Sequence, residues 1–279
     1  MRLTLLGTGS PLPSPDRAGP ANLVQVAGHH LLFDCGRGVA MRLAAAGVLP
    51  GFLDQAFVTH LHSDHVTDLN DLITTRWAMS PVESPLPVTG PPGTRDLVAR
   101  TLEMLRDDIG YRLAHHDDLT WDPGVVVTEV LNGPAWEENG VRVVAAPTDH
   151  RPVAPTVGYR VEHDGRSIVL AGDTVPCEGL DRLVAGADVY VQTVIRPDLV
   201  AAVPSARLQD ICDYHSSCEQ AGATAARGGV RTLVLTHQVP PPQPGTEQEW
   251  IDQARAGGFE GEVVFGADLV SVDAGAPPG

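Results

Sequence analysis

The segment Val58-Thr-His-Leu-His-Ser-Asp-His65 places three imidazoles and one carboxylate within six residues. His60 and His62 stand two apart, directly after a hydrophobic run. In extended backbone alternate side chains share a face, so two imidazoles converge on one cation. Asp64 and His65 come where the chain must turn into a helix running from Val66 to Trp77, which lets their donor atoms swing toward a second cation. The plainer alternative makes Asp64 a helix cap and the histidines surface loop residues. It does not account for so dense a pattern in a chain with 11 His among 279 residues.

Two cations need more ligands than this segment supplies. His150 follows the apolar run Val141–Ala146, Asp173 follows Ile168–Ala171, and His237 follows Leu233–Thr236. Each alone reads equally as a turn residue. Together they repeat one design, an apolar strand running into a ligand, which presents a site at one rim of a sheet. The expected grouping is His60, His62 and His150 on one side and Asp64, His65 and His237 on the other, with Asp173 bridging. A site of this kind deprotonates a water near neutral pH and binds the oxygens of a scissile group. Imidazole and carboxylate ligands suit two Zn2+, while Mn2+ and Fe are also accepted. Asp64 and His215 are the candidate catalytic residues. Asp64 brings negative charge to the dications, and His215 offers an acid or anion contact. His215 reads equally as a histidine beside the helix-capping residues Ser216 and Ser217.

These side chains need a scaffold. Short β-rich runs, Leu3–Leu6, Leu23–Val26 and His30–Asp34, precede a helix from Arg37 to Ala46 that Gly47 stops. Ala56–Thr59 reads as a buried strand, and Thr94–Arg106 as an amphipathic helix. Strands follow at Val125–Leu131, Val141–Ala146, Val157–Val161 and Ile168–Ala171. A helix near Leu180–Ala185, a strand at Val189–Gln192, a helix over Ser217–Arg227 and a strand at Leu233–Thr236 complete the series. Strands then helices, twice over, fit two packed sheets with helices on both outer faces. No linker separates two halves, so one domain over 1–279 is expected. Ser80–Gly93 and Val239–Gly245 read as rigid Pro-rich loops, and Ala274–Gly279 as a frayed tail.

The net charge is −16 and every cation is Arg, since Lys is absent. Such a surface repels a phosphate backbone unless a metal or a local Arg cluster reverses the field. No apolar run approaches the roughly 20 residues that cross a bilayer, and Gly7 ends the opening apolar stretch too early for a secretory signal. Cys35, Cys177, Cys212 and Cys218 lack C-x-x-C spacing and read as reduced thiols of a cytoplasmic protein.

The ordered set H-x-H-x-D-H, then His, Asp and His, resembles the metallo-β-lactamase superfamily. That resemblance implies an αββα four-layer sandwich of the α/β class with a dinuclear zinc site. Leu6-Gly-Thr-Gly-Ser10, Leu32-Phe-Asp-Cys-Gly36, Gly172-Asp-Thr-Val-Pro-Cys177, His215-Ser-Ser217 and Leu235-Thr-His237 are similar to the ribonuclease Z and arylsulfatase-like branch. Members of the ribonuclease Z family carry a long arm between the third His and the bridging Asp to grip tRNA. Here 173 − 150 = 23 positions leave no room for one. The family's acid–base Glu would fall near Thr193, where there is no carboxylate, and Gln238-Val-Pro-Pro replaces an aromatic segment after His237.

These departures, with the acidic charge, lead to the expectation of a small-molecule ester substrate, an aryl sulfate or phosphodiester, and no nucleic-acid or membrane partner. A lactone, carboxylic ester or activated aryl ether is the second reading, and a non-catalytic subunit of a hetero-oligomeric hydrolase the third. The pocket rim is expected from Leu72–Pro92, with Trp77 and Met79, and from Arg196–Tyr214; Trp77 reads rather more readily as core at its helical position, and Arg196 or Arg207 as surface residues by default that could meet an anion. His115-His116, His29-His30 and His163 read as turn residues. Family resemblance further implies a homodimer or higher oligomer.

Overall fold

A computed structural model describes residues 1–275; 276–279 of the expected tail lie outside the described residues. The strands are β1 (Arg2–Gly7), β2 (Ala21–Val26), β3 (His29–Phe33), β4 (Gln55–Phe57), β5 (Leu86–Gly90), β6 (Val125–Glu129), β7 (Gly133–Glu138), β8 (Val141–Pro147), β9 (Val157–His163), β10 (Arg166–Leu170), β11 (Val189–Ile195), β12 (Thr232–Val239), β13 (Glu262–Phe265) and β14 (Ser271–Asp273). They form two seven-stranded sheets, in the orders β14-β1-β2-β3-β4-β5-β6 and β13-β12-β11-β10-β9-β8-β7. In each sheet an antiparallel meander passes into parallel strands, at β3–β4 in the first and β10–β11 in the second.

Parallel strands need crossovers, and helices supply most of them. In chain order they are α1 (Val39–Ala45), α2 (Ser63–Val66), α3 (Leu69–Met79), α4 (Thr94–Met104), α5 (Arg106–His115), α6 (Glu178–Val184), α7 (Pro197–Ala201), α8 (Ala206–Asp210), α9 (Cys218–Gly228) and α10 (Glu247–Ala256). Both faces of each sheet are buried, so most central strands read as continuous apolar runs. Leu31, Phe33, Ile168, Leu170 and Val191 point into the layer between the sheets. Their neighbours take the other face: Leu32 meets Val39 and Leu72 on the first sheet's outer side, while Val169 and Tyr190 meet Leu180, Ala221 and Trp250 on the second's. The architecture is the αββα sandwich of the metallo-β-lactamase fold.

Several elements depart from the sequence reading. Ser80–Gly93 contains a strand, β5, because Val88 is wholly buried beside Ala56 despite the surrounding prolines. The Val66–Trp77 helix splits into α2 and α3, and a further helix, α5, follows α4. Ala274 packs into the layer between the sheets rather than fraying. Trp77 is core, the reading its helical position favours: it is buried, and its indole N–H donates to Trp121 O at 2.7 Å. Arg196 is also buried, held by Asp198 at 2.6 Å and by Glu249, so it is not free for an anion. His29 is no turn residue either. It is buried in β3, with Nδ1 3.2 Å from Asp54 and its ring edge-on to Trp136.

Candidate metal centre

Most nominated ligands sit beyond or near the end of a buried strand, Asp64 and His65 lie in the short helix α2 that follows β4, and all of them meet at one rim. Beyond β4, Val58 and Thr59 carry the chain to His60 in the gap between the sheets. There Tyr159 donates its hydroxyl to Val58 O at 2.8 Å, tying one sheet to the other beneath the site. Gly172 lets the Asp173 loop close on this strand end. Its φ is +66°, and a side chain there would reach within 2.8 Å of Thr59 Cβ. His237 lies in β12 at φ +47°, where the pairing with β11 slips by a residue, and that irregularity aims its ring inward.

Donor atoms of His60, His62, His150 and Asp173 lie within 4.8 Å of one another, as do those of Asp64, His65 and His237. In the first group His62 Nδ1 is 3.1 Å from His60 Nε2 and 3.2 Å from His150 Nε2. In the second, His237 Nε2 is 3.1 Å and His65 Nε2 3.7 Å from Asp64 Oδ2. A tetrahedral shell with bonds of about 2.1 Å puts its ligand atoms about 3.4 Å apart, so these spacings fit a cation in each group. Asp173 Oδ2 reaches both, at 3.5 Å from His65, 3.7 Å from His237, 3.8 Å from His150 and 3.9 Å from His60. His65 Nε2 and Asp173 Oδ1 are buried without a hydrogen-bond partner. Orphaned donors and acceptors of this kind are what a cation satisfies.

The surrounding hydrogen bonds set the tautomers. Asp34 accepts from His65 Nδ1 at 2.8 Å and from both the N–H and the hydroxyl of Thr59, at 2.8 and 2.9 Å. Because the Thr59 hydroxyl donates to Asp34, it accepts from His60 Nδ1 at 2.9 Å. Tyr214 O accepts from His150 Nδ1 at 2.8 Å. Three rings are thereby held with Nε2 facing the centre. Asp34, Thr59 and the Tyr214 carbonyl were not nominated from the sequence. Asp34 repeats the strand-into-ligand design after Leu31–Phe33 and occupies a left-handed conformation, φ +62°, that Asp tolerates better than most residues.

Electrostatics divides the two groups. Burial holds the His60 and His62 imidazoles below their ordinary pKa and lowers His150 to about 4. Burial also opposes the charges of Asp64, His65 and the shared Asp173, but there it loses. His237 and His65 keep the Asp173 carboxyl well below the usual range, and the His237 hydrogen bond does the same for Asp64. Asp173 and Asp34 in turn raise His65 well above the ordinary histidine value. His215 is buried at the edge of the centre, its Nε2 3.2 Å from Asp173 Oδ2 and its Nδ1 2.9 Å from Ile211 O. It also lines an open cleft of about 620 Å³ with Pro197, Cys212, Ser217 and Gln220. His115 and His116 are exposed at the end of α5, away from this cluster.

Two mixed sheets between helices, with a His and Asp centre at their shared rim, define a metal-dependent hydrolase fold. Residues 29–238 match the family described as "Beta-lactamase superfamily domain". The chain is similar to a protein named Ribonuclease Z from Mycobacterium avium (strain 104), 58% identical over 279 residues and covering 99% of each chain. Among solved structures it is similar to human tRNase Z, short form, at 26% identity and a TM-score of 0.72, covering 98% of this chain and 99% of that one. The metallo-β-lactamase fold protein YhfI from Bacillus subtilis shares the fold at 20% identity and a TM-score of 0.75, covering 97% and 98%. The chain belongs to the metallo-β-lactamase superfamily, within its ribonuclease Z branch, and is a metal-dependent hydrolase.

These findings correct the sequence reading of substrate and partner. A small-molecule aryl ester and the exclusion of nucleic acid do not stand beside a ribonuclease at 58% identity, and the non-catalytic alternative falls with them. The relative aligns end to end with this chain, so the short His150–Asp173 spacing is no sign of a different chemistry. Net charge misled because it sums the whole surface, whereas a substrate meets the local field of the site. Among the described residues no helix is long and apolar enough to cross a membrane.

Proposed function

We propose that the chain is a ribonuclease Z acting on tRNA-class RNA, a phosphodiester hydrolase with two divalent cations at the rim shared by its sheets. The reading rests on the convergence of seven donor residues into two adjoining groups. The name carried by the 58% identical relative supports the substrate class. His60, His62 and His150 would hold one cation and Asp64, His65 and His237 the other, with Asp173 between them. Zinc suits the nitrogen-rich set. Bound there, the pair would supply an acidified water and charge stabilisation for a phosphoryl group, chemistry well matched to in-line displacement.

The protein's own part is orientation and proton handling. Asp34, Thr59 and the Tyr214 carbonyl hold the rings with their lone pairs inward. Asp64 is a ligand and a source of negative charge. His215, facing both Asp173 and the cleft, is placed to give a proton to a leaving oxygen. Arg207, exposed in α8, has no ion-pair partner among the described residues and would be free to meet a phosphate.

We further infer one cytoplasmic hydrolase domain over 1–279 that works as a homodimer or higher oligomer. Exposed Leu49, Phe52, Met79 and Val82, gathered where the Pro50–Phe52 turn meets the end of α3, support self-association. Incubation of zinc- or manganese-loaded protein with a precursor tRNA tests the main reading. Site-specific cleavage, abolished by Asp173→Ala, is expected, and an intact precursor with fully loaded protein would overturn it.

A further inference from the structure

His237 differs from the other buried rings of the centre. His60, His65 and His150 each have an acceptor for the outer nitrogen, whereas His237 Nδ1 is buried without a hydrogen-bond partner. With Nε2 facing a cation, Nδ1 carries the proton, and an N–H left unpaired in the interior keeps its full desolvation penalty. Behind the ring, between the sheets, is a small cavity with about 20 Å³ open to the centre of a water molecule. A single water needs roughly 10–15 Å³ by this measure and two or more polar partners. The lining supplies them. Asn22, in β2, lines the same cavity, and its Oδ1 is buried without a hydrogen-bond partner. Thr193 and Thr236 line it as well.

We propose that Asn22 is a positioning residue for His237, acting through one buried water that accepts from His237 Nδ1–H and donates to Asn22 Oδ1. The inference rests on the cation-binding reading of the centre. It gives His237 the tautomer that the other rings obtain from direct protein contacts. It also accounts for a polar side chain amid apolar strand neighbours: Asn22 pairs with Leu5 and Phe33, both wholly buried.

Asn22→Leu keeps the shape and removes the acceptor, while Asn22→Asp keeps an acceptor in place. Zinc titration in competition with a chelator reads both binding steps. Asn22→Leu is expected to weaken one step by about 10- to 100-fold, the usual effect of losing an outer partner of a ligating histidine, and to spare the other. Asn22→Asp is expected to restore wild-type affinity, an outcome that a purely structural role for Asn22 would not give. A high-resolution structure of the loaded protein is expected to show a water within hydrogen-bond reach of both atoms. Unchanged affinities in Asn22→Leu, equal weakening in Asn22→Asp, or an empty cavity would each overturn the proposal. Wild-type protein that takes up fewer than two cations would instead refute the reading of the centre on which it rests.

Discussion

The two halves of the metal centre are prepared in opposite ways. His60, His62 and His150 are kept neutral by burial, so their lone pairs are available at physiological pH. The Asp64 and Asp173 carboxyls are held below their ordinary range by neighbouring histidines, and Asp173 and Asp34 hold His65 above its own. His60, His62 and His150 thus offer uncharged nitrogens, and Asp173, within reach of all three, joins them to the ion-paired group of Asp64, His65 and His237. On the proposed reading, the His60, His62 and His150 side would favour zinc and the Asp64 side would tolerate harder ions. Asp173, facing both, sets the total charge.

The largest break in this contrast should come from Asp173→Ala, because both halves lose a ligand. Cleavage of precursor tRNA is expected to fall by at least about 10³-fold, roughly 4 kcal/mol in the barrier, with bound metal falling below two ions per chain by elemental analysis. His215→Gln lies outside both halves and separates ligation from proton transfer. Its kcat should drop about 10²-fold with metal content unchanged. Loss of metal in that variant would place His215 among the structural supports instead.

Asp34→Ala removes the acceptor behind His65 and the relay through Thr59 to His60, so it should weaken both cations together, by about 10- to 100-fold in chelator competition. Weakening of only one would show that the relay to His60 does not matter. A separate readout concerns metal-free protein. A histidine held at about 4 rather than 6.5 is neutral in the folded state where the unfolded chain takes up a proton. His150 therefore lowers stability as pH falls from about 6.5 to 4, by about 3 kcal/mol at most. His65 acts in the opposite sense: its raised value adds stability below the ordinary histidine pKa, lost as pH rises through the folded one. Thermal melts of chelator-treated wild type and His150→Gln should diverge most below pH 6, the wild type losing more. Parallel curves would contradict the burial of a neutral His150.

Part of this was legible in the chain itself. The spacing of His60, His62, Asp64 and His65 is local, and a strand running into a turn fixes where such side chains emerge. His150, Asp173 and His237 could be nominated because each ends an apolar run. The strand β5 could not, since Pro-rich composition signals a loop and only the partner strand β4 reveals the pairing. Nor could the burial of Arg196 or His29, whose partners lie up to 110 residues away.

Sequence alone determined which residue types could ligate and in what order along the chain, because those depend on side-chain chemistry and local backbone. Tertiary structure alone decided that Asp34 serves two rings, that His237 stands without a direct partner above a small cavity, and that burial leaves one half neutral and the other charged. Those outcomes depend on distances across two packed sheets and on how far each group is removed from water, and neither quantity is written in a linear pattern.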